Sequence, residues 1–411
     1  MKKFFALLLS LAMVLALVAC GQKKTTTPDD TQTPDDTTPE VEYKIAMITD
    51  YGDITDQSFN QTTYEACKAF AEDNSIEFSY FKPAGDNTAD RVAMIEKAVN
   101  DGFNVIVMPG YAFGGAIVEA APEFPDVKFI ALDVAAGDLL ETAVAKAGEA
   151  YDYTPENWDL NKYVDMSNVY CAVYQEELCG YMAGYAAVKL GYKNLGFLGG
   201  MSVPAVVRYG YGFVQGVDAA AADLGLTDVK LNYIYGGQFF GDADITAVMD
   251  TWYQGGTEVV FACGGGIYTS AVDAAKKANA KVIGVDVDQA GVIAKYAGVD
   301  GMTVTSAMKG LYPATYDTLT DVIVNGNWDK YVGKIATLGL VSGTDPEANY
   351  VQIPMGDGTQ WSDSFTQDDY KAMVKDMFDG KITVSNNTSS DVSAADFATV
   401  ITVDDQGSIK G

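Results

Sequence analysis

Three aspartates in this chain each follow directly on a short apolar run: Asp50 after KIAMIT, Asp133 at the end of VKFIALD, and Asp286 at the end of KVIGVD. An ionised carboxylate only accepts hydrogen bonds, and its two oxygens can take several. In VIGVDVDQ, Asp286 has the chemistry to hold a vicinal diol, as acidic residues do with ribose hydroxyls. It would serve equally as a loop cap. Lys309, after the apolar run 303–308, either holds a ligand hydroxyl or stands in solvent. Gly264 and Gly266 in CGGGIYTS offer backbone N–H groups just ahead of a helix. Neither G-x-G-x-x-G nor the Lys-Ser/Thr of a P-loop is present, which favours a polar ligand over a nucleoside triphosphate. Phe59 and Phe240 come from opposite halves of the chain. Two such rings could sandwich a planar base, or both could belong to the cores. Phe239 is adjacent to Phe240, so the stacking residue is open between the two.

Composition narrows the chemistry. The 411 residues include no histidine. This removes Ser-His-Asp and Cys-His nucleophilic sites and histidine-ligated zinc. Paired carboxylates alone suffice for glycoside cleavage, so an extracellular glycosidase or nucleoside hydrolase remains an alternative. Lys and Arg number 27 against 56 Asp and Glu, a net charge of −29. Nucleic acid is therefore not an expected partner, since phosphate binding needs clustered cations. Four cysteines lie beyond Cys20, at 67, 171, 179 and 263, and none forms a C-x-x-C pair. Their apolar surroundings suggest buried thiols, with a Cys171–Cys179 bridge left open. No metal or cofactor is expected.

The elements that would position these residues alternate regularly from Tyr43 onward. Apolar strand-like runs at 44–49, 76–82, 104–109 and 127–133 are separated by helical patterns at 58–73, 89–100 and 115–121. This is the signature of a doubly wound parallel sheet, which binds ligands beyond the C-terminal ends of its strands. The polar stretch 138–165 breaks the rhythm and reads as a surface insertion. Runs at 168–173, 194–198, 229–235, 258–262 and 281–286 repeat the build as a second lobe. The strand at 303–308 is expected to return the chain to the first lobe. The expected division is 43–170 plus about 300–330 for lobe one, and 171–299 plus about 331–411 for lobe two, with a ligand cleft between them.

The N-terminus has Lys2 and Lys3 ahead of an apolar run at 4–18, too short for a comfortable membrane span and shaped like a signal peptide covering 1–19. The sequence Leu17-Val18-Ala19-Cys20 resembles the bacterial lipobox, which implies cleavage before Cys20 and its diacylation. Two acyl chains give stable membrane anchoring. The Thr/Pro/Asp-rich segment that follows, to residue 42, has too little apolar surface to fold and reads as a tether.

Several segments, taken in order, carry a family resemblance: DQSFNQTTYEA (56–66), ALDV (131–134), EELCGYMAGYAA (176–187), GFLGGM (196–201), GFVQGV (212–217), CGGG, VIGVDVDQ (282–289) and TSAMK (305–309). Over about residues 43–345 the chain resembles the "basic membrane protein" family of bacterial lipoproteins. These are substrate-binding proteins of ABC importers. The resemblance implies a type I periplasmic-binding fold of two α/β lobes, no catalysis, and permease subunits as partners of a monomeric receptor. In purine nucleoside-binding members the base stacks between two phenylalanines. By resemblance, Asp50 and Asp133 would read the base, Phe59 and Phe240 would flank it, and Gly264, Gly266, Asp286 and Lys309 would hold the ribose. Asn60, in the SFN motif, would support the loop or touch the ligand. The segment 51–55 departs from the family's Gly-rich turn. A receptor for a sugar or another small polar ligand is the nearest alternative.

Overall fold

The computed structural model describes residues 42–410. The expected signal peptide, Cys20 and the tether through residue 41 lie outside them.

From Tyr43 the chain forms one compact body. Its first part contains β1 (Lys44–Ile48), α1 (Phe59–Asn74), β2 (Glu77–Phe81), α2 (Thr88–Asn100), β3 (Val105–Pro109), α3 (Gly114–Ala120), β4 (Lys128–Leu132), α4 (Ala136–Lys146), α5 (Leu160–Tyr163) and β5 (Val169–Tyr174). The second part contains α6 (Glu176–Lys189), β6 (Asn194–Gly199), α7 (Pro204–Asp223), β7 (Lys230–Tyr235), α8 (Ala243–Gln254), β8 (Val259–Cys263), α9 (Tyr268–Ala278), β9 (Lys281–Asp286), α10 (Ala290–Ala297) and β10 (Thr303–Lys309). The last contains α11 (Leu311–Leu319), β11 (Ile335–Leu338), β12 (Val351–Gln352), α12 (Gln367–Phe378) and β13 (Thr402–Ser408).

Central strands such as VIVMP of β3 and VVFAC of β8 are buried at every residue. Continuous apolar runs of this kind suit a parallel sheet covered by helices on both faces. One sheet has the order β11-β5-β4-β3-β1-β2 and is parallel throughout. The other has the order β12-β10-β9-β8-β6-β7-β13, with only β12 antiparallel, beside β10. Each sheet reverses its winding once, at β1/β3 and at β6/β8. Ligands bind outside the strand ends at such switch points.

Strand pairing corrects the expected lobe boundaries. The division at 170/171 falls inside β5, which pairs with β4 and β11 in the first sheet. The strand expected to return the chain, β10, instead pairs with β9 in the second sheet. The return is made after it: α11 packs on α1, with the Phe70 and Tyr316 rings 5.5 Å apart and the Tyr316 hydroxyl 2.7 Å from Asp73. β11 then closes the edge of the first sheet. A buried apolar run identifies a strand but does not identify its partner, which is why the sequence pattern misplaced both.

The expected insertion at 138–165 is also only partly one. Leu139, Leu140, Ala143 and Val144 form the buried stripe of α4, which packs on α3 as an ordinary crossover helix. Irregular chain with the short α5 fills 147–168.

On the second sheet, α6 and α7 pack so closely that their backbones nearly touch. A Cβ on Gly212 would fall on the Glu177 carbonyl and one on Gly216 on that of Tyr181. This close seating places the first turns of both helices, with Glu176 and Arg208, against the strand ends.

Candidate ligand-binding site

A cavity lies between the two sheets. The first sheet contributes Asp50, Gly110 and Asp133, which follow β1, β3 and β4. The second contributes Gly264, following β8, with Asp286 and Lys309, the last residues of β9 and β10. Asp133 and Asp286 have φ of 59° and 66°. Left-handed backbone is uncommon outside glycine, and where it occurs at strand ends it often serves to aim a functional side chain.

Lys309 organises the floor of the cavity. Its ammonium donates to Asp133 Oδ2 at 2.5 Å and to Glu176 Oε1 at 3.4 Å, and lies 3.9 Å from Asp286 Oδ1. Glu176 is fully buried and accepts from Arg208 Nε at 2.7 Å. Burial works against the charge on Lys309, yet the three carboxylates outweigh it and hold the ammonium protonated above its ordinary range. Burial pushes the Asp133 carboxyl up, and Lys309 offsets only part of that. The Nζ also sits 4.7 Å from the centre of the Phe59 ring, a cation–π distance. The resemblance has Asp133 reading the base with Asp50; both line the cavity, and Asp133 is also ion-paired to Lys309.

At the other end, Asp50 Oδ1 accepts from the N–H groups of Tyr51 at 2.6 Å and Gly52 at 2.7 Å. Burial raises its pKa despite these bonds. Asp56 accepts from the backbone of Ser58, Asn60 and Gln61, which sets the start of α1 and the position of Asn60. Asn60 donates to Asp56 at 3.1 Å. Asn60 Oδ1 and Asp133 Oδ1 are both buried without a hydrogen-bond partner. Buried acceptors of this kind are normally satisfied.

Of the expected residues, Asp50, Phe59, Asn60, Asp133, Gly264, Asp286 and Lys309 line this one cavity. Phe240 and Gly266 do not. Phe240 is 61% exposed, and Phe239 lines the cavity in its place. Gly266 N–H donates to the Phe239 carbonyl at 2.9 Å, and Phe240 bridges to Gly266. Successive residues of an extended segment point opposite ways, so this register turns Phe239 in and Phe240 out. The Phe239 ring lies over Gly200 and Gly264, where a Cβ would collide with it. Gly265 takes the lining position expected of Gly266.

The sequence pattern missed Tyr51, Ser58, Tyr111, Glu176, Arg208 and Tyr209. One of them stood out in the pattern: Arg208 is the only charge in PAVVRYGYGF. Cross-lobe bonds close the cavity. Ser58 Oγ donates to Asp286 Oδ2 at 2.5 Å, Gln289 Nε2 to the Gln57 carbonyl at 3.2 Å, and Tyr51 hydroxyl to Met201 sulfur at 3.4 Å. Cys67, Cys171, Cys179 and Cys263 are free, buried thiols, so the Cys171–Cys179 bridge is not formed. Among the described residues no helix is long and apolar enough to cross a membrane.

Comparison with solved structures supports the fold. A solute-binding protein of an ABC transporter system from Aeropyrum pernix K1 is similar over 85% of this chain and 95% of its own, with a TM-score of 0.63 at 19% identity. One from Conexibacter woesei gives 0.57 at 19% identity, over 84% of this chain and 99% of its own. The architecture is the type I periplasmic-binding fold, two doubly wound lobes around a cleft. In sequence, the ABC transporter nucleoside-binding protein BmpA of Lactococcus lactis is 26% identical over 357 residues, 84% of this chain and 89% of that protein. Basic membrane protein B of Borreliella burgdorferi is 26% identical over 322 residues, 75% and 83% of the two chains. The model of the Bmp family, described as ABC transporter substrate-binding protein PnrA-like, matches residues 43–346. The chain belongs to this family of ABC transporter substrate-binding proteins.

Proposed function

We propose that this protein is a lipid-anchored, extracytoplasmic receptor that closes on a purine nucleoside and delivers it to the permease of an ABC importer. The observation that carries the reading is the cavity's surplus of buried acceptors beneath aromatic walls. Asp50, Asn60, Asp133 and Asp286 face it, with Lys309 and the Glu176-paired Arg208 as cations among them and Phe59 and Phe239 as flat apolar surfaces. A ligand rich in donors and bearing a planar ring matches that lining. A 6-oxopurine nucleoside brings a ring N–H for the Asp50–Asn60 end and vicinal hydroxyls for the Asp286–Lys309 end. The same carboxylates would repel a phosphate, which favours nucleosides over nucleotides. The similarity to a nucleoside-binding relative from Lactococcus lactis supports the same class.

Ligand enters the cleft, the lobes close about the segments joining them, and the bonds from Ser58 and Gln289 form across the cavity. The protein acts as a monomer and leaves the nucleoside unchanged. The lipobox-like segment ending at Cys20 provides the anchor. A thermal-shift panel of nucleosides, bases, sugars and nucleotides tests the reading, because a ligand that binds the native state raises its apparent stability. Shifts confined to nucleosides support it. Shifts from sugars alone would replace it with a sugar receptor.

A further inference from the structure

We propose that the C-terminal segment 402–410 is a clasp that fixes the loop bearing Phe239, and that Lys410 is a positioning residue for ligand binding. This segment lies beyond residues 43–346, the stretch that the family model matches. β13 runs parallel to β7 from Thr402 to Ser408, and the Ile409 N–H extends the ladder to the Tyr235 carbonyl at 2.8 Å. The sequence of β13, TVDDQGS, is almost wholly exposed and carries little apolar surface of its own. What it delivers is Lys410. The loop 236–242 leaves the end of β7 at the same edge and carries Phe239 into the cavity.

Lys410 is bound to that loop at three points. Its Nζ donates to Gln238 Oε1 at 3.0 Å and to Asp242 Oδ2. Its backbone and Cβ lie against Gly237, where φ is 80° and any side chain would strike Lys410. The two polar partners are joined to each other and to the rest of the loop. Gln238 Nε2 donates to Asp242 Oδ2 and to the Phe240 carbonyl, both at 2.9 Å. Asp242 caps α8 through the Ile245 N–H at 2.9 Å. Phe239 therefore sits between a residue tied to Lys410 and a carbonyl held by Gln238. On its inner side its carbonyl accepts from Gly266 N–H, and its ring packs over Gly200 and Gly264 with its centre 6.3 Å from that of Tyr51.

The Lys410–Asp242 pair is partly exposed, with side chains 34% and 25% accessible. Such a pair contributes little to global stability, so removing it loosens the loop without unfolding the lobe. In the ligand-free protein, Lys410→Met is expected to speed amide exchange at Gly266 and across 236–242 by about tenfold or more, with β6 and β8 unchanged. Lys410→Arg restores protection. Unchanged exchange in Lys410→Met overturns the clasp.

Its role in binding rests on the nucleoside reading and is measured separately by titration with inosine. Lys410→Met should weaken binding several-fold in the wild type and have no further effect in a Phe239→Ala background, since the two act through one ring. Equal weakening in both backgrounds would overturn the action through Phe239. No inosine binding by the wild type would instead reject the nucleoside reading, and the exchange measurement then decides the clasp alone.

Discussion

The Ser58 hydroxyl donates to Asp286 Oδ2 at 2.5 Å, joining two residues 228 positions apart in the chain and on opposite lobes. Ser58 stands immediately before α1 beneath the first sheet, and Asp286 is the last residue of β9 in the second. Tyr209 adds a longer bond to the other carboxylate oxygen at 3.3 Å. One carboxylate therefore both faces the cavity and holds the lobes together.

Ser58→Ala removes a cross-lobe hydrogen bond to a carboxylate, which on the nucleoside reading forms as the lobes close on the ligand. Such bonds contribute about 1.5–3 kcal/mol. Nucleoside affinity is expected to fall about ten- to hundredfold in calorimetric titration. An unchanged dissociation constant would show that this bond does not contribute to closure on the ligand.

The aromatic walls give a second expectation. Stacking on a base contributes roughly 1–3 kcal/mol. Phe59→Ala and Phe239→Ala should each weaken nucleoside binding by about one to two powers of ten. Phe240→Ala, at a largely exposed side chain, should leave it within about twofold. A large effect at Phe240 with none at Phe239 would reverse the register argued from the Gly266 bond.

Two buried carboxyls predict a pH dependence. Burial pushes both Asp138 and Glu177 up to about 7 from ordinary values of 3.8 and 4.5. A raised carboxyl keeps its proton in the folded state where the unfolded chain has lost it. Its stabilisation is complete below the unfolded value and is lost as pH rises toward about 7. The ligand-free protein should therefore melt at a higher temperature near pH 5.5 than near pH 7.5. Asp138→Asn and Glu177→Gln should each shrink that difference. A melting temperature that falls on acidification over this window contradicts the argument.

The anchor is tested by Cys20→Ala. Unacylated protein released from the membrane fraction is the expected outcome, measured by fractionation and mass spectrometry. An acylated, membrane-bound variant would remove the lipobox reading.

Much of this fold is legible in the sequence because parallel strands buried on both faces leave continuous apolar runs such as KIAMI and VIVMP. Strand-end residues then follow directly, which is how Asp50, Asp133, Asp286 and Lys309 could be named. Sheet membership is not legible in this way. β5 and β10 have the same local character, and only pairing assigns one to each sheet. β13 has a single apolar residue, Val403, and gives almost no apolar signal. The choice between Phe239 and Phe240 depends on a loop register set by a glycine 26 or 27 residues away, at Gly266. Arg208 and Glu176 escaped because a charge on an apolar helix has no spacing rule. Only the close seating of α6 on α7 brings them to Lys309.

The most direct test of the central claim is calorimetric titration of the wild-type protein with inosine, 2′-deoxyinosine, hypoxanthine and inosine 5′-monophosphate. On the nucleoside reading, the Asp286 carboxylate and the Lys309 ammonium meet the ribose, so loss of a hydroxyl costs on the order of 1–3 kcal/mol. Inosine is predicted to bind at least about tenfold more tightly than the deoxynucleoside and the free base, with the monophosphate weakest of all. Asp286→Asn should narrow the gap between inosine and 2′-deoxyinosine. Equal affinity for inosine, 2′-deoxyinosine and hypoxanthine, or no binding of any nucleoside, would contradict the account.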